Sequence, residues 1–163
     1  MDLHGTPRQK GTVLVRAVIQ RVDRASVRVG GEVAGQIGRG LLVFVGVETG
    51  DGPADVAYVA SKITEARVFP DDGGRMNRSV RDAGGSLLVV SQFTLLGDLR
   101  KGRRPAFDAA MAPDAARAVY ESLLTDIKNR GIPIEAGVFQ ADMQVELVND
   151  GPVTVLIDSR RLF

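Results

Sequence analysis

Cysteine and tryptophan are absent from these 163 residues, and the single histidine is His4. Without cysteine there is neither a disulfide nor a thiol nucleophile. One histidine in a polar leader rules out a Ser-His-Asp triad, and zinc sites of the usual His and Cys kind go with it. Aromatic residues are scarce, at 5% of the chain. No apolar run approaches the roughly 20 residues that span a bilayer. Neither sign of charge dominates: 21 Lys and Arg against 20 Asp and Glu leave a net charge of +1. A polyanion must therefore be held by a local patch, not by a global field. An enzyme of this composition works with carboxylates, lysine, hydroxyls, backbone groups or the substrate itself. No metal or cofactor is expected.

What remains is strongly patterned, and its length suits one domain. Residues 1–13, MDLHGTPRQKGTV, combine Gly, Pro and polar residues. They are expected to be a disordered leader or a scar of expression, with the domain filling 14–163. The lack of an apolar signal segment predicts a cytoplasmic protein. LVRAVIQRV, residues 14–22, predicts a strand with Val15, Ala17 and Ile19 on one face and Arg16 and Gln20 on the other. ASVRVGGEVAGQIG predicts two short strands in a hairpin about Gly30-Gly31. GLLVFVGVE, residues 40–48, is nearly all apolar, as in a strand covered on both faces.

A helix is predicted from Pro53, with Val56, Val59, Ala60 and Ile63 at helical spacing. A second is predicted over 113–130, with Val119, Leu123 and Ile127 on one stripe and Gly131 as its stop. Between them lie a polar loop, PDDGGRMNRSVRDAGG, and an expected strand, SLLVVSQFTL, residues 86–95. Residues 134–157 read as strand again. Many strands with two inserted helices predict a single α/β domain, a three-layer α/β/β sandwich with helices on one face of the strand layers.

Four stretches can carry chemistry. In SQFTL, Ser91 and Thr94 offer hydroxyls, while Gln92 and Phe93 can hydrogen-bond and stack a base. The same residues also suit a strand end facing water, since a hydroxyl without a nearby base is a poor nucleophile. The motif is not a G-x-S-x-G elbow. Arg100, Lys101, Arg103 and Arg104, stiffened by Pro105, form either a phosphate-binding patch or a solvated charge run; Arg75, Arg78 and Arg81 are more scattered. Phe139 and Met143 suit core packing or a base or ribose pocket. Finally, VNDGPVTVLID plants Gly151-Pro152 between two β-like runs, where proline cannot donate to a ladder. It is either a turn or backbone presented to something else.

Taken together, RAVIQRV with ASVRV, LLVFVGV, the MN of GGRMN, AGGSLLVVSQFTL, RRPAF and ADMQVELVNDGPVT resemble the D-aminoacyl-tRNA deacylases of the D-tyrosyl-tRNA deacylase type. The resemblance covers nearly everything from Leu14 to Asp158. It implies a homodimeric hydrolase that cleaves the ester of D-aminoacyl-tRNA, and of glycine mischarged on alanine tRNA, as translational proofreading. Charged tRNA would be the partner, without membrane or DNA.

The resemblance also implies site roles. Ser91, Gln92, Phe93 and Thr94 would line the substrate pocket, with Phe139 and Met143 beside them and Lys101, Arg103 and Arg104 on tRNA phosphates. Gly151-Pro152, in a cis peptide, would cross to the partner's pocket and screen out L-amino acids with its carbonyls. Ester cleavage would be driven by the 2′-hydroxyl of the terminal tRNA adenosine, with amides near Phe93 and Thr94 facing the oxyanion. Thr94 as covalent nucleophile is the competing mechanism. Two other readings share these motifs: a non-catalytic tRNA- or nucleotide-binding module, and a relative with a trans Gly-Pro acting on small L-aminoacyl-tRNA.

Overall fold

The computed structural model describes residues 15–50 and 52–163, so the leader expected at 1–13 lies outside the described residues. Its first element corrects an expectation. The two strands expected on either side of Val22 are one, β1 (Val15–Val29). Its first half pairs antiparallel with β3 (Gly40–Val47), its second half with β2 (Glu32–Ile37), and nearly its whole length with β8 (Gln144–Asp158). The continuity was hidden because Asp23 and Arg24 in mid-strand are exposed, where the ladder to β8 shifts register. The hairpin at Gly30-Gly31 does form; φ of +57° and +82° are values that only glycine adopts freely.

From β3 the chain enters α1 (Pro53–Glu65), whose Val56, Val59, Ala60 and Ile63 are buried. The stretch expected as polar loop contains a small ribbon, β4 (Phe69–Pro70) against β5 (Met76–Arg78). β6 (Ser86–Ser91) then runs parallel to β3, and α2 (Pro113–Asn129) leads to β7 (Ile134–Ala136), parallel to β6. Residues 134–157 are thus not one strand. The chain must leave the β6 side of the sheet after Ala136 and return to β1, and residues 137–143 make that crossing.

Alternation along the strands divides the core in two. Val15, Ala17, Ile19, Leu41, Val43, Val45, Leu87 and Val89 face the helices and bury Val59, Ile63, Leu123 and Ile127. Leu42, Leu88 and Val90 face the other way, against Val22, Ala25, Val27 and Ile37. The second core exists because the sheet, in order β2-β1-β3-β6-β7 with β8 on β1, curls over itself. Gly35 of β2 lies so close to β7 that an added Cβ would stand 3.0 Å from the Ala136 carbonyl oxygen. Helices, strand and strand form the three layers expected.

Candidate active site

The SQFTL segment sits beyond the C-terminal ends of parallel strands, where open α/β sheets place ligands. The strand expected over 86–95 stops at Ser91, and Phe93–Leu96 coil into a 3₁₀ turn. The cause is on β3. Gln92 N donates to the Val45 carbonyl at 2.7 Å, closing the ladder beside Gly46. A Cβ on Gly46 would lie 2.5 Å from Leu96 Cδ2 and 2.9 Å from the Gln92 carbonyl oxygen, so glycine there makes room for the turn.

Leu96 goes into the core, which leaves Phe93 and Thr94 outside; Phe93 is 60% exposed. The Phe93 ring rests edge-on against Phe107, centroids 5.1 Å apart. Gln92 Nε2 donates to Thr94 Oγ1 at 2.5 Å. That amide occupies a Thr94 lone pair and cannot take its proton, so it is no general base.

Phe139 and Met143 flank the same end of the sheet. Gly137 N donates to the Val89 carbonyl at 3.0 Å, two residues before Ser91. The Phe139 ring packs on Tyr120 at 5.7 Å with Arg117 above it at 5.1 Å. Burial pushes the Tyr120 phenol up to about 12, so it stays protonated and donates to the Val89 carbonyl at 3.1 Å. Met143 packs against the second core.

The basic segment is a closed loop. Asp98 N donates to the Ala106 carbonyl at 2.8 Å, and Ala106 N to the Asp98 carbonyl at 2.9 Å. Inside it, Arg100 folds onto the Asp98 carboxylate at 2.7–3.1 Å. Those bonds hold the Asp98 pKa down to about 2. Arg100 is therefore spent on the loop itself. Lys101, Arg103 and Arg104 are exposed and make no ion pair among the described residues. Of the scattered arginines, Arg78 pairs with Asp72 at 2.9 Å and Arg81 donates to the Arg130 carbonyl.

Gly151-Pro152 does not reverse the chain, which overturns the reading as a turn. β8 keeps its direction and its partner on both sides of it. Two steps along β1, from Gln20 to Val22, face five along β8, from Thr154 to Asn149; the surplus is looped out as a wide bulge. The Gly151-Pro152 peptide bond is cis, with Gly151 at φ +128°, and both residues are exposed. Arg21 holds the base of the bulge. Its Nε donates to the Asp150 carbonyl at 3.2 Å and pairs with the Asp150 carboxylate at 3.3 Å, and Nη1 donates to the Val68 carbonyl at 2.6 Å.

The site residues thus fall into two groups. Ser91, Gln92, Phe93 and Thr94 follow one another off the end of β6, with Phe139 in the helix-side core and Met143 in the second core on the opposite face, and the loop bearing Lys101, Arg103 and Arg104 follows directly. Gly151-Pro152 stands apart. Ser91 is level with Ala17 through Val45, while the bulge lies beside Arg21. Four residues along and three strands across put them about 20 Å apart on the sheet. Sequence reasoning missed Arg16 and Arg21, since a charge on a half-buried strand reads as solvent face. It also gave no role to Phe107.

Comparison with known proteins places the chain in a family and supports its fold. The D-Tyr-tRNA(Tyr) deacylase family matches residues 18–158. A D-aminoacyl-tRNA deacylase of Anaeromyxobacter dehalogenans is 58% identical over 149 residues, spanning 91% of this chain and 100% of the relative. One of Syntrophotalea carbinolica is 56% identical over the same shares. A solved structure described as a c-Myc DNA unwinding element binding protein superposes with TM-score 0.82 at 41% identity, over 87% of this chain and 97% of its own. A probable eukaryotic D-amino acid tRNA deacylase shares the fold at TM-score 0.76 and 18% identity, over 89% and 99%. The chain belongs to the D-Tyr-tRNA(Tyr) deacylase family, a family of hydrolases.

Proposed function

We propose that the chain hydrolyses the ester of D-aminoacyl-tRNA, and of glycine mischarged on alanine tRNA, and spares L-aminoacyl-tRNA. The observation that carries this reading is the Gly151-Pro152 bulge, an exposed piece of backbone braced by Arg21 and about 20 Å along the sheet from the pocket of its own chain. A screen so placed serves a second copy. In a two-fold dimer each subunit gives one screen and receives one. β8 suits such an interface: among the described residues it pairs only with β1, and Leu156 and Val148 are exposed upon it.

The terminal adenosine lies on Phe93, Phe139 and Met143, and Lys101, Arg103 and Arg104 hold phosphates beside it. The D side chain occupies the space that the partner's Gly-Pro leaves open, and its carbonyls occupy the place of an L side chain. Thr94 is held by Gln92 and positions the ester. The adenosine 2′-hydroxyl drives cleavage, and the amides of Phe93 and Thr94, at the start of a turn that offers them no internal acceptor, face the oxyanion. The work is translational proofreading in the cytoplasm.

A binding-only reading draws on the solved relative described as a DNA unwinding element binding protein. Incubating the purified chain with D-aminoacyl-tRNA separates the two. Release of free D-amino acid, with the L-form left intact, supports hydrolysis; retention of intact ester on the protein supports the binding module.

A further inference from the structure

We infer that Arg16, clamped by the buried carboxylate of Asp158, is a positioning residue for the turn that carries Phe93 and Thr94. Asp158 is the last residue of β8, 1% exposed and directly opposite Arg16 in the ladder. Arg16 Nη2 donates to Asp158 Oδ2 at 3.3 Å, and Nη1 donates to the Leu95 carbonyl at 3.2 Å.

The way the guanidinium is spent argues for positioning. A bidentate arginine closes two N–H groups onto one carboxylate, but the other oxygen of Asp158 already accepts from the Arg160 amide at 2.7 Å, which leaves Arg16 an N–H to give elsewhere. Here Nε is buried with no hydrogen-bond partner, and the side chain spans two acceptors on different elements instead. One is the strand that bears Gly151-Pro152. The other is the third residue of the 3₁₀ turn that begins with Phe93. The opposite end of that turn is fixed by Gln92 N on the Val45 carbonyl. Without Arg16, the Leu95 carbonyl has no side-chain hydrogen bond among the described residues, and the outer half of the turn is left with the buried Leu96 side chain and the Phe93–Phe107 contact to hold it. Misplacing reacting groups by about 1 Å costs on the order of 100-fold in rate.

This inference rests on the proposed hydrolysis, so its test has one arm that needs no substrate. Arg16→Lys keeps a cation opposite Asp158 but cannot span both acceptors; Arg16→Met removes the charge. Steady-state hydrolysis of D-aminoacyl-tRNA and amide chemical shifts of residues 92–97 are measured for both, with unfolding midpoints alongside. Arg16→Lys should keep the wild-type midpoint, move the Thr94 and Leu95 amides, and lower kcat by about 10- to 100-fold with KM within about twofold. Arg16→Met should show the same kinetic split with a lower midpoint. Wild-type kcat or unmoved amides in folded Arg16→Lys would overturn the inference. If wild type itself releases no amino acid, the functional reading fails, and the amide shifts still decide whether Arg16 positions the turn.

Discussion

Arg21 and Asp150 meet twice, once through the Asp150 carbonyl at 3.2 Å and once through its carboxylate at 3.3 Å. The same guanidinium reaches the Val68 carbonyl. One side chain thus joins β1, the Gly-Pro bulge and the entrance to the β4–β5 ribbon. Losing it leaves the carbonyl of the buried Val68 unpaired, at about 1–3 kcal/mol, whereas water can reach Asp150.

Arg21→Ala should therefore loosen the bulge before it unfolds the domain. Hydrogen exchange at residues 150–153 should quicken, and the preference for D- over L-aminoacyl-tRNA should fall by about tenfold or more, the equivalent of about 1.4 kcal/mol. Unchanged exchange with unchanged preference would show that the bulge holds its place unaided.

Thr94→Ala should keep its rate to within about tenfold, because the Thr94 hydroxyl is held by the Gln92 amide and hydrogen-bonds to no base among the described residues. Removing the terminal 2′-hydroxyl of the substrate should cost more than about 100-fold, the scale of a lost proximity effect. A dead Thr94→Ala enzyme alongside a cleaved deoxy substrate would make Thr94 the nucleophile.

Reversing Arg103 and Arg104 together should weaken tRNA binding and flatten its salt dependence, by roughly one unit of log–log slope for each phosphate no longer neutralised. Hydrolysis of an aminoacyl-adenosine lacking the acceptor stem should change little. Equal losses on both substrates would give the loop a structural role instead.

Asp98 should titrate well below the ordinary carboxylate value. Its folded value, about 2, lies under its ordinary 3.8. The contribution of its Arg100 bonds is complete above the ordinary value and is lost as pH falls through about 2. The loop should accordingly hold its shape from about pH 4 upward. A carboxyl carbon titration of Asp98 with a midpoint near the ordinary 3.8 would show that Arg100 does not hold it in solution.

Much of this was readable in the sequence because it rests on local periodicity. The helices followed from Val56, Val59, Ala60 and Ile63 and from Leu123 and Ile127, and β3 from its unbroken apolar run. What escaped depends on partners distant in sequence. The end of β6 at Ser91 is dictated by Gly46, far earlier in the chain. The continuity of β1 through Asp23 and Arg24 comes from three neighbouring strands. The bulge at Gly151 is visible only in the register against Gln20 and Val22. For the same reason Arg16 and Arg21 read as surface charge until the elements that they join were in place.

The central claim is that the Gly151-Pro152 backbone of one subunit decides which enantiomer the other subunit accepts. Gly151→Ala tests it most directly. At φ +128° an added Cβ is strained, and it would lie 2.9 Å from both Arg21 Nη2 and Val153 Cγ2, so the bulge must shift while the ladders on either side remain. The measurement is the hydrolysis rate of matched D- and L-aminoacyl-tRNA by the variant, with its dimer checked by sedimentation. The account predicts an intact dimer whose D-over-L preference has fallen about tenfold or more, or which no longer binds either substrate productively. Full activity on the D-substrate with the wild-type preference would contradict it.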